Sequence, residues 1–166
     1  MLVAIEGPDR VGKTSVWRLL MAEPEFVDAR FVPNVSADGA LLAAGDAVQL
    51  ASEMRVNAWL QALHVPSVLY VCDRCPFVSN LVYAVVHGRD PAPRAAALSA
   101  WADQLFVVHL DASESLLVSR GATPVEVEAA AVYRAVLRGV RCVSIDAGQP
   151  LVEVVEAAKE VLRGVR

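Results

Sequence analysis

At 166 residues, 55% hydrophobic and with a net charge of −4, the chain has the size of one domain with a substantial core. The acidic balance disfavours a large nucleic-acid surface, no apolar run approaches the roughly 18–20 residues of a membrane helix, and Glu6 comes too early for a secretory leader. Three cysteines, an odd number without secretory signals, read as free thiols of a reducing compartment, so a cytoplasmic protein is expected (the host's cytoplasm if the gene is a phage's).

The first element is a strand over 2–6, where Leu2-Val3-Ala4-Ile5 is apolar and β-prone. It runs directly into Gly7-Pro8-Asp9-Arg10-Val11-Gly12-Lys13-Thr14, a complete G-x-x-x-x-G-K-[ST] phosphate-binding loop. A helix over 13–22 follows, beginning Lys13-Thr14-Ser15, and this strand–loop–helix setting gives the motif its meaning. The two glycines let successive backbone N–H groups converge on one centre, and the helix adds its positive end there. Lys13 supplies a full charge to the outer phosphates and Thr14 a hydroxyl to Mg²⁺. Gly7, Asp9, Arg10, Val11, Gly12, Lys13, Thr14 and Ser15 are therefore the expected ATP-binding set, with ATP and Mg²⁺ as the expected cofactors.

Further strands are predicted over 26–32, 67–73, 105–111 and 141–146, and further helices over 41–63, 77–87, 94–103, 113–120, 124–138 and 150–163. The runs 67–73 and 105–111 are apolar on both parities, as in strands buried on both faces of a parallel sheet. Ser113 with Glu114, and Thr123 with Pro124 and Glu126, are helix-start signals. Residues 88–93 read as a loop between helices. The alternation implies βαβ units: one P-loop domain over 1–166, a three-layer α/β/α fold with a five-stranded parallel sheet whose ligand lies at the carboxyl ends of the strands. At such an end stands Asp73-Arg74, an acid suited to Mg²⁺ or its water and an arginine suited to a second phosphate.

The loop with Asp9 and Arg10, followed by Asp73-Arg74 and a helix carrying Ser79 and Tyr83, resembles the thymidylate kinases, in the branch with arginine in the phosphate loop. The segments His109–Glu114 and Val143–Ala147 are similar to that family as well. The resemblance implies phosphoryl transfer from ATP to a deoxynucleoside monophosphate, dTMP or a related pyrimidine nucleotide. It implies that Asp9 binds the 3′-hydroxyl of the acceptor, Arg10 stabilises the phosphoryl group in flight, and Lys13 bridges the outer phosphates. Thr14 and Asp73 would serve Mg²⁺, the latter through water, and Arg74 the acceptor's phosphate. Arg55 would face the base with Phe77 nearby, and Arg120 would open a short lid over 120–126 beside adenine. The catalytic set is thus Arg10, Lys13, Asp73 and Arg74, acting on a small nucleotide, and a homodimer is implied by resemblance alone.

Departures from the family cluster on the base pocket. Cys75 stands where a tyrosine is usual, Ala51 where an aromatic precedes the arginine, Asn34 for an arginine and Ala84 for a glutamine. A modified pyrimidine such as 5-hydroxymethyluracil, free or in DNA, is the alternative acceptor, and a nucleotide-binding subunit without catalysis is the alternative class. The three tryptophans and three histidines read as core or surface residues, and Cys72 and Cys75 as buried or pocket-lining thiols.

Overall fold

The computed structural model describes residues 1–34 and 45–165, and the predicted helix start at 41–44 lies outside them. In chain order the elements are β1 (Leu2–Glu6), α1 (Lys13–Met21), a 3-10 turn (Pro24–Phe26), β2 (Arg30–Val32), α2 (Asp46–Leu63), β3 (Tyr70–Asp73), α3 (Pro76–Val86) and α4 (Ala92–Ser99). There follow β4 (Leu105–Asp111), α5 (Glu114–Ser119), α6 (Pro124–Val136), a 3-10 turn (Leu137–Gly139), β5 (Cys142–Asp146) and α7 (Leu151–Gly164).

Among the described residues the strands form one parallel sheet in the order β2-β3-β1-β4-β5. β1 is central, with Ile5 opposite Asp73 on one side and Val108 on the other. Its residues alternate between two cores. Val3 and Ile5 pack with Val16, Trp17 and Leu20 of α1 and with Val154, Val155, Ala158 and Leu162 of α7. Leu2 and Ala4 pack with Leu60, Phe77, Val78, Leu98, Ala129 and Tyr133 from the helices of the other face. Each fully buried Val, Leu or Ile of this kind contributes roughly 1.5–3 kcal/mol. That double coverage is why β1 and β4 read as apolar runs rather than as alternating strands. The predicted fold class is the observed one.

Local chemistry explains the boundaries. Thr123 accepts the Glu126 N–H while Glu126 accepts the Thr123 N–H, a complete capping box at the start of α6, and the Ser113 side chain caps α5 by accepting the Leu116 N–H at 3.2 Å. The predicted strand 26–32 shrinks to Arg30–Val32 because Pro24 opens a 3-10 turn that buries Phe26 in the core. The predicted strand 67–73 begins only at Tyr70, since the Val68 N–H closes a turn onto the Val65 carbonyl. The predicted helix 94–103 is shifted to Ala92–Ser99, where Asp90 accepts the Ala92 N–H at 2.9 Å. It stops early because Trp101 folds inward, its indole N–H donating to Asn57 at 3.0 Å. No helix among the described residues is long and apolar enough to cross a membrane.

Candidate active site

The loop between β1 and α1 owes its shape to three residues in left-handed backbone conformations: Gly7 (φ 141°), Arg10 (φ 69°) and Gly12 (φ 95°). Gly7 is forced twice over, because a Cβ there would lie 2.4 Å from the Leu110 carbonyl oxygen of β4. Lys13 opens α1 and folds back over the loop, donating to the Pro8 carbonyl, while its ammonium lies 3.7 Å from Asp9. Val11 is buried beneath the loop, and Thr14 and Ser15 stand exposed on the first turn of α1.

The end of β3 meets this loop. The Thr14 hydroxyl donates to Asp73 Oδ2 at 2.8 Å, and among the described residues the second oxygen of that buried carboxylate has no hydrogen-bond partner. Arg74, also in the left-handed region (φ 67°), pairs with Asp9, whose other oxygen accepts the Tyr83 hydroxyl at 3.1 Å. Asp9, Lys13, Thr14, Asp73 and Arg74, distant in sequence, are thus one cluster at the carboxyl ends of β1 and β3.

Arg10 points to the other side of the loop. Its guanidinium lies 3.6 Å from Glu126, and it exchanges long hydrogen bonds with Arg120, each donating to the other's carbonyl at 3.3–3.4 Å. Arg120 also reaches the Ala147 carbonyl after β5, at 3.0 Å. The Thr123 amide, together with Arg10, holds the Glu126 carboxyl below the usual range. The residues between α5 and α6 therefore form a tight turn against the phosphate loop.

The remaining candidates fall elsewhere. Arg55 is exposed on α2 in a shallow groove with Ser52, Val56 and Trp59, apart from the loop cluster. Trp59 lies outside the core, 46% exposed. Phe77 is buried and stacks on Trp101 at 5.1 Å, and it lines a narrow gap shared with Glu53, Met54, Asn80 and Arg94. The inward face of α2 carries Gln49 and Glu53, both buried, with Arg94 of α4 donating to Glu53 at 2.8 Å and to Asp46 at 2.7 Å. Sequence reading gave no sign of this network, since each residue sits in an ordinary helix pattern. Glu6 and Tyr133 were missed as well. Both are buried beneath Arg74, and the coincidence of an acid with the last position of β1 was their only sequence signal. Burial pushes the Cys72 and Cys75 thiols up, away from reactivity.

Burial also pushes the Lys13 ammonium down from 10.5 to about 8, with Glu6 and Asp73 acting in the opposite sense. Because the folded value lies below the unfolded one, the folded chain holds fewer protons between those two values. Its stability rises with pH across that window, and the charge available to an anion falls. An arriving triphosphate would restore the proton. Titration calorimetry at about pH 9, in buffers of different ionisation enthalpy, should therefore show proton uptake on ATP binding. A buffer-independent enthalpy would contradict it.

No protein-family model matches the sequence, and none of the curated proteins does. Solved structures do match. The YorR protein of Bacillus subtilis, solved with phosphorylated GDP, has a TM-score of 0.65 at 20% identity, over 98% of this chain and 96% of its own. Deoxyadenosine kinase of M. mycoides with dCMP and dCDP gives 0.64 at 12% identity, over the whole of both chains. The same kinase with dATP gives 0.66 at 12%, over 98% of this chain and all of its own. These similarities establish the fold: a five-stranded parallel α/β sheet flanked by helices.

Proposed function

We propose that the protein is a nucleotide kinase that transfers the γ-phosphoryl group of ATP to the phosphate of a deoxynucleoside monophosphate, dTMP or a related pyrimidine nucleotide. One observation carries the reading: a complete phosphate loop and an acid–arginine pair from β3 meet in a single cluster. A phosphate-binding protein needs only the first. Two anions forced together need the second as well, because phosphoryl transfer depends on positioning and counter-charge more than on covalent chemistry.

Lys13 and the loop amides hold the outer phosphates of ATP in this reading, and Arg10 turns from Glu126 to the transferring group. Arg74 leaves Asp9 for the acceptor's phosphate, which frees the Asp9 carboxylate to accept from the acceptor's sugar hydroxyl. Thr14 and Asp73 suit Mg²⁺: their oxygens adjoin, and Asp73 keeps one buried oxygen without a partner among the described residues. Bound there, the metal would neutralise charge on the outer phosphates.

A nucleoside acceptor is the second reading, favoured by the likeness to deoxyadenosine kinase. Incubation with ATP and Mg²⁺ against each deoxynucleoside, each deoxynucleoside monophosphate and hydroxymethyluracil-containing DNA separates the readings. We expect a diphosphate product from a pyrimidine monophosphate. Product from nucleosides alone would replace the reading, and ATP binding without any product would leave a non-catalytic subunit.

A further inference from the structure

Glu6, the last residue of β1, is fully buried and accepts from three donors contributed by two other parts of the chain. These are the Cys75 backbone N–H, the Ser79 hydroxyl at 2.8 Å and the Tyr133 hydroxyl at 3.1 Å. A carboxylate is an expensive group to bury, and burial pushes its pKa up against the pull of the Cys75 amide and the Arg74 charge. Without it Ser79 and Tyr133, 3.0 Å apart, could form one hydrogen bond between them and would leave one hydroxyl hydrogen with no acceptor. The Cys75 amide would be stranded as well.

That amide directly follows Arg74, whose backbone is left-handed although it is not glycine. The Arg74 amide itself donates to the Ile5 carbonyl at 3.2 Å. Consecutive residues of β1 thus grip consecutive amides of the β3–α3 turn, Ile5 by its carbonyl and Glu6 by its side chain. The next residue of β1's chain is Gly7, where the phosphate loop begins. The turn that aims Arg74 and the loop that holds Lys13 are therefore fixed to one strand end.

We propose that Glu6 is a positioning residue: it anchors the left-handed Arg74–Cys75 turn to the root of the phosphate loop, and so sets where the Arg74 guanidinium meets the second anion. This rests on the proposed assignment of Arg74 to the acceptor's phosphate.

The test compares Glu6→Ala, Glu6→Gln and Arg74→Ala in the whole chain. One arm is amide hydrogen exchange over residues 74–79 against the loop 7–14. The other is binding of MgATP and of the tightest-binding of the four deoxynucleoside monophosphates. Removing the carboxylate should raise exchange over 74–79 by about tenfold or more while leaving 7–14 within about threefold. It should weaken the monophosphate by about tenfold or more and MgATP by less than about threefold, with no further loss when Arg74→Ala is added. Glu6→Gln keeps an acceptor oxygen and should recover most of the loss. Should Glu6→Ala fail to fold, Glu6→Asp, whose shorter side chain withdraws the carboxylate from the Cys75 amide, takes its place in the cycle with Arg74→Ala. Unchanged exchange over 74–79, equal losses for both ligands, or additive effects of Glu6 and Arg74 would overturn the proposal. A wild type that binds no monophosphate, with exchange still responding, would sink the kinase reading and leave the anchoring role standing.

Discussion

Arg10→Ala is expected to lower turnover by about 10³-fold or more while leaving ATP affinity and stability nearly unchanged, since an arginine placed on a transferring phosphoryl group is worth about 10³–10⁵ in rate. The side chain is 48% exposed, and its pairing with Glu126 spans 3.6 Å. Exposed pairs of that kind contribute at most about 1 kcal/mol. Glu126 can therefore yield the guanidinium to a phosphoryl group without much cost, and deleting the side chain should cost the fold little. Lys13 cannot substitute, because its buried ammonium is held by the Pro8 carbonyl and Asp9, on the other side of the loop from Arg10. Arg10→Lys should fall between the two, keeping the charge and losing the planar fork. Turnover from a coupled assay and ATP affinity from titration decide the matter. An alanine variant turning over within tenfold of wild type removes Arg10 from the reaction.

Gly7→Ala is expected to cost about 3–5 kcal/mol and to abolish nucleotide binding, adding a steric clash to a strained backbone angle. The added Cβ would meet a backbone oxygen at 2.4 Å, not the far end of a flexible side chain. That oxygen belongs to Leu110 of β4, which is paired to β1 on one side and β5 on the other, so it cannot step aside. The alternative is to displace the loop and with it the amides that face the phosphates. Gly12 provides the contrast. It too has a positive φ, but a Cβ there meets nothing within 4 Å. Gly12→Ala should therefore cost only the conformational penalty of about 1–2 kcal/mol. Urea unfolding of both variants tests the difference, and a Gly7 variant no less stable than the Gly12 variant would refute the account. A loss of a few kcal/mol matters in a domain whose whole stability is of the order of 5–15 kcal/mol.

The phosphate loop was legible because its requirements are local: glycine where φ is positive, and lysine and threonine at the start of a helix. The sheet was legible because the runs that became β3 and β4 are apolar on both parities, as double coverage requires. The boundaries of β2 and α4 were not, since they are decided by the burial of Phe26 and Trp101, contacts that neighbouring residues do not announce. Phe77 illustrates the same limit: an aromatic beside Asp73-Arg74 suggests a substrate contact, yet its ring stacks on Trp101. Arg55 and Arg94 show it most plainly. Resemblance to the thymidylate kinases singled out the exposed arginine, whereas the buried one is identified by Glu53 and Asp46, forty or more residues away in sequence.

The central place of β1 has a consequence for how such a chain can change. On its β3 side stands Arg74, proposed for the second anion, and on its β4 side Arg120 and the Ala147 carbonyl border the loop's outer rim. The two flanks are also joined directly, since α3 packs on α6 in one core and the Ser79 hydroxyl lies 3.0 Å from that of Tyr133. If the proposed function holds, substitutions in α3 that reshape what is accepted must keep their fit against α6, so specificity is not free to drift on one flank alone.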